Sequence, residues 1–192
     1  MAVLQNFVVD VVERMVDNVL EERPEVCLCA RCRQDMILRS LNHVKPDYIN
    51  EEMLTVPLED LDEEIFASVL SAVLESVEVV HKYPRHDKKD QVDLSPAYRN
   101  YSEDYLDIIL TKALSEVDDV CTCDHCLYAL KVSCLTEMEP RYFSSEKGRL
   151  FVKLAEMDNQ LLCQTLVLVY RSFDQIRKSP AHLTPEQIKG FS

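Results

Sequence analysis

A cysteine cluster spaced C-x-C-x2-C occurs twice in this chain, as Cys27, Cys29, Cys32 and again 94 residues later as Cys121, Cys123, Cys126. The same offset carries Val12 onto Leu106, Met15 onto Ile109, Val16 onto Leu110 and Leu20 onto Leu114. It also carries Leu41 onto Leu135, Pro46 onto Pro140 and Tyr48 onto Tyr142. After a two-residue insertion the offset becomes 96, and Leu61 falls on Met157, Ile65 on Leu161, Leu70 on Leu166 and Val73 on Val169. A sequence written twice folds as two copies of one unit. The repeats are 1–88 and 101–192, the second with a short tail. A charged stretch at 86–100 joins them, with 89–100 as the linker.

Each repeat reads as three helices. Phe7, Val8, Val11, Val12, Met15, Val19 and Leu20 recur at helical spacing and stop before Pro24. A second helix at 31–42 presents Ile37, Leu38 and Leu41, and a third at 58–81 presents Leu61, Ile65, Val69, Val73, Val77 and Val80. The acid run at 59–64 suits a helix start, where the helix dipole favours negative charge. The second repeat gives helices at 102–117, 124–138 and 146–178, and Thr184-Pro-Glu-Gln187 marks a short tail helix. No segment reads as a strand. The 192 residues hold only two glycines, Gly148 and Gly190. That excludes glycine-loop phosphate cradles and disfavours turn-rich β folds. Three helices alone make a thin core. The predicted fold is therefore all-α: two three-helix zinc-knotted repeats packed as an intramolecular pseudo-two-fold dimer.

Three thiolates held this close call for a fourth ligand, because structural zinc is tetrahedral with N and S donors. Under the two offsets His43 falls on Glu137, His81 on Arg177 and His125 on Arg31. Only His86 and His182 fall on each other, each two residues past the proline that ends the third helix. The reading is two Cys3His sites: Cys27, Cys29, Cys32 with His86, and Cys121, Cys123, Cys126 with His182. Four filled positions leave none for water, which makes the role structural. Two other arrangements use the same residues. One is reduced thiols with surface histidines, and the other is a redox pair such as Cys27 with Cys32. Cys134 and Cys163 replace Ser40 and Ala67, so both read as inert packing thiols.

The net charge of −13 argues against nucleic acid as a partner. No apolar run is long enough to span a bilayer. The N-terminus lacks a basic start and carries acids through its apolar run, so a cytoplasmic location with reduced cysteines is expected. No H-E-x-x-H or G-x-S-x-G occurs, and a non-enzymatic role is expected. Arg31, Arg33, Arg39 and Lys45 gather near the first knot, either as a solvated helix face paired with the nearby acids or as a site for a phosphorylated ligand, whose geometry arginine forks match.

Cys27-x-Cys29-x2-Cys32-x2-Asp35, followed by Leu41-Asn42-x-Val44-x-Pro46-x-Tyr48, resembles the bacterial late-competence ComFB family. The second repeat keeps Cys121, Cys123, Cys126, Leu135, Met138, Pro140 and Tyr142, then continues to Gly148. The resemblance implies small helical proteins that pair two-fold, with cysteine-bound zinc in some members. It also implies a signalling role as receptors for cyclic dinucleotide second messengers, tied to competence, motility and pili. This chain departs by being a tandem copy, by using histidine as the fourth ligand, and by placing Ala129 and Thr136 where the first repeat has Asp35 and Asn42. Arg39, Asn42, Lys45 and Tyr48 flank the loop after the second helix and form the predicted nucleotide contact set. Arg39 and Lys45 would meet phosphates, and Tyr48 would stack on a base. The competing reading is a zinc-stabilised helical adaptor for a protein partner. A thiol redox sensor is a third.

Overall fold

Asn6 starts the first helix. Its side-chain oxygen accepts from the Val8 amide at 3.2 Å, satisfying one of the unpaired N–H groups of the first turn. The structure, a computed structural model, describes residues 4–50, 56–86, 98–154 and 159–182. Helix α1 (Phe7–Glu22) buries Val8, Val11, Val12, Met15, Val16 and Val19 on one face. Helix α2 (Ala30–Leu41) is capped by Cys29, and α3 (Glu63–Lys82) by Asp62. Methyl-bearing faces of all three meet in one core, with Met36, Ile37, Val69, Val73 and Val77 fully shielded.

The second repeat runs the same way through α4 (Tyr101–Leu114), α5 (Asp124–Glu137), α6 (Glu146–Leu154) and α7 (Asn159–Lys178). Asn100 caps α4 as Asn6 caps α1, its side chain accepting from the Ser102 amide at 3.1 Å. Leu106, Leu130, Val169 and Phe173 form the centre of this core.

Three sequence expectations change here. The third helix of the first repeat starts at Glu63 rather than at 58. Leu58–Asp60 forms a separate 3-10 turn, and Leu61 is extended before the Asp62 cap. The helix expected at 146–178 is described as two, α6 and α7, with 155–158 outside the described residues. Among the described residues four short strands also exist. Strand β1 (Leu4–Asn6) pairs antiparallel with β2 (Tyr48–Asn50), and β3 (Arg99–Asn100) with β4 (Tyr142–Phe143). The tail helix at Thr184 and residues 89–97 of the linker lie outside the described residues.

The strands set the relation between repeats. Asn6 stands opposite Tyr48, and Asn100 opposite Tyr142. The side chains then cross over. Asn6 Nδ2 donates to the Tyr142 hydroxyl at 2.9 Å, and Asn100 Nδ2 donates to the Tyr48 hydroxyl at 3.0 Å. Tyr142 is buried in the core of the first repeat and Tyr48 in the core of the second. Leu4 and Tyr98, also 94 residues apart, each pack against the opposite core. This reciprocity is what a two-fold pairing of equivalent surfaces requires. The expected pseudo-dimer is therefore present, built on exchanged tyrosines.

Candidate metal centres and a cleft between the repeats

Pro84 ends α3 and turns the chain back toward the start of α2. His86 then meets all three cysteines of the first repeat. Its Nε2 lies 3.6 Å from Cys27 Sγ, 3.1 Å from Cys29 Sγ and 3.0 Å from Cys32 Sγ. In the second repeat His182 Nδ1 lies 3.8 Å from Cys121 Sγ, 3.3 Å from Cys123 Sγ and 3.2 Å from Cys126 Sγ. Within each set the four ligand atoms are all within 4.8 Å of one another. Zinc bonds of about 2.3 Å to sulfur and about 2.0 Å to nitrogen put tetrahedral S···N edges near about 3.5 Å. Both clusters fit that span, so each can hold a metal ion. The two knots differ in ring orientation, one offering Nε2 and the other Nδ1.

The thiols in each knot are unequal. Burial pushes Cys29 up, but the Cys32 amide, the neighbouring thiols and His86 outweigh it and hold Cys29 below its ordinary value. The equivalent Cys123 is drawn down to about 6, chiefly by the Cys126 amide. Cys126 is pushed up to about 11 by burial, and Cys32 is pushed up for the same reason. Each knot therefore offers one easily ionised sulfur at the helix start and one reluctant sulfur on the helix. A bound cation favours the thiolate at both.

The leftover cysteines divide. Cys134 is buried, 3.4 Å from the Ser172 hydroxyl between α5 and α7, as a packing residue should be. Cys163 is exposed on α7, which corrects its reading as a core thiol.

The four predicted nucleotide contacts are not brought to one place. Arg39 and Asn42 line a cleft of about 450 Å³ where α2 and α3 face β4 and the start of α6. Lys45 instead lines a neighbouring hollow with Glu137 and Glu139, which Asn42 also borders. Tyr48 is 4% exposed, with its hydroxyl donating to Glu103 at 2.7 Å, so its ring cannot stack on a ligand. Asn42 is engaged by the second repeat. It accepts from the Tyr142 amide at 2.6 Å and donates to the Tyr142 carbonyl at 3.1 Å. Of the other bases near the knot, Arg33 is held by Asp17 and Arg31 reaches the Arg85 carbonyl.

The sequence reading missed Tyr83, Arg85, Phe143 and Ser145, which line the same cleft. One signal was readable: Arg85 precedes a predicted ligand, whereas its counterpart is Ala181. Gly148 lets α6 approach β4, since a Cβ there would meet Phe143 Cβ and Ser145 Oγ at 3.3 Å. Arg39 pairs with Glu75 at 2.8 Å, while its Nε is shielded and without a hydrogen-bond partner. The His43 Nδ1 proton goes to the Arg39 carbonyl at 2.6 Å. Among the described residues no helix is long and apolar enough to cross a membrane.

No curated protein and no solved structure matched the chain. The family model described as "Late competence development protein ComFB" matches it twice, over residues 5–84 and 99–180. Each match covers one strand pair, one set of helices and one cysteine triplet, so the chain belongs to the ComFB family and carries its domain in tandem.

Proposed function

We propose that this protein is a non-enzymatic cytoplasmic regulator that binds a cyclic dinucleotide, on a fold closed by two structural zinc ions. The cleft between the repeats carries the ligand reading. It combines the guanidinium groups of Arg39 and Arg85 with the rings of Tyr83 and Phe143. Arginine forks match phosphate oxygens, and the exposed ring of Tyr83 can accept a base face. Zinc is the metal that the Cys3His donor set favours, and four protein ligands leave it no catalytic position.

A second reading, an adaptor for a protein partner, draws on the surface of the second repeat. Leu150, Leu154, Val167 and Tyr170 are exposed along α6 and α7. Isothermal titration of zinc-loaded protein with cyclic di-GMP and cyclic di-AMP separates the two. Heat with either dinucleotide supports the receptor, and no heat with both leaves the adaptor.

A further inference from the structure

We infer that the chain has one ligand cleft rather than two, and that metal in the first knot, not the second, holds that cleft in shape. This rests on the dinucleotide reading above. The link is Arg85, the residue before His86. Its Nε donates to Asp35 Oδ2 at 2.8 Å, and Nη2 donates to the other carboxylate oxygen. Asp35 lies on α2, one turn after Cys32, and its side chain is 8% exposed. The metal ligand His86 and the Arg85–Asp35 fork thus fasten one dipeptide to one helix. Arg85 itself is 70% exposed toward the cleft. Without the bond to His86, the segment after Pro84 keeps the Arg85–Asp35 fork and the Arg31 contact to the Arg85 carbonyl at 3.5 Å, but it loses its anchor to the cysteines.

The second knot has no such link. Asp35 is replaced by Ala129 and Arg85 by Ala181. Other cleft positions change in the same direction: Arg39 becomes Ser133, His43 becomes Glu137 and Tyr83 becomes Ser179. Both cations and the ring are gone, and an acid has entered. Two identical repeats would present two clefts by symmetry. Here one set of positions keeps the features that recognise a phosphorylated base and the other keeps only the knot.

The chain has no tryptophan, so Tyr83→Trp places a single indole on the cleft wall. The zinc-loaded parent chain is titrated with cyclic di-GMP and cyclic di-AMP by calorimetry, and the Tyr83→Trp chain serves only for emission. Metal is counted by native mass spectrometry and helicity is followed by circular dichroism. The expected stoichiometry is one dinucleotide per chain. Cys27→Ser shifts the indole emission and weakens dinucleotide binding tenfold or more, while Cys121→Ser changes neither. Arg85→Ala, at an exposed side chain, keeps both metals and weakens binding by about tenfold, as loss of a charge-assisted contact should. Two dinucleotides per chain would overturn the single cleft and leave the receptor function standing. Emission that ignores Cys27→Ser, or follows Cys121→Ser equally with helicity retained, would overturn the role of the first knot. No heat with either dinucleotide would overturn the receptor function and the single cleft together, while the emission still decides the knot.

Discussion

Cys29 and Cys123 each stand where a helix begins. In the first repeat the Cys32 amide donates to Cys29 Sγ at 3.4 Å. The cysteine triplets and the two histidines were legible because the chain states them twice, and the offset alone separates His86 and His182 from three other histidines. If both knots hold zinc, native mass spectrometry gives two ions for the parent and one for either His86→Ala or His182→Ala. Tyr48 was not legible in this way. A tyrosine after a proline loop reads equally as a stacking ring or a core residue, and only the partner repeat decides. Its neighbour Glu103 supplies a second test. Burial raises the Glu103 carboxyl above its ordinary 4.5, against the hydrogen bond from Tyr48. The folded state then binds more protons than the unfolded one, so this group's contribution to stability falls as pH rises from 4.5 through the folded value. Glu103→Gln removes that slope. Denaturant melts across a pH series should show the variant gaining on the parent as pH rises over that window; a constant difference would refute the assignment.

At the scale of elements, the helices were legible because apolar residues recur with a helical period over three or more turns. The strands were not, since elements of two or three residues hold too little alternation to register. Their importance lies in what they hold at their ends. Asn6 closes β1, caps α1 and donates to Tyr142 across the seam. Its oxygen also accepts from the Asp47 amide at 3.0 Å. Asn6→Ala removes the cap, worth about 1 kcal/mol, and leaves the buried Tyr142 hydroxyl without its donor, a further cost of about 1–3 kcal/mol. Thermal or denaturant melts of the full chain measure the sum. Asn6→Asp should recover part of it by keeping the cap oxygen. The start of α3 teaches a similar lesson. The acid run 59–64 signalled a helix start correctly, but Asp62, whose carboxylate accepts from the Glu64 amide at 2.9 Å, decides where within it.

For the whole molecule, duplication and pairing followed from the repeated sequence, but the exchange of tyrosines did not. Sequence offsets show which residues are equivalent and not which core receives them. The exchange makes the two cores interdependent. Tyr142→Ala is expected to destabilise the protein by about 3 kcal/mol or more, as loss of a buried ring does. Calorimetry should still show one transition, because each core is missing a wall without the other. If the knots hold metal, chelation should lower that transition as well, since the ligand set is assembled only in the folded state. The crossed rings also impose an order on synthesis. The ring that completes the N-terminal core belongs to residue 142, so that half leaves the ribosome with its core open. It stays open while the linker and nearly half of the second repeat are being made, and that nascent half is the stage at which a chaperone has apolar surface to hold.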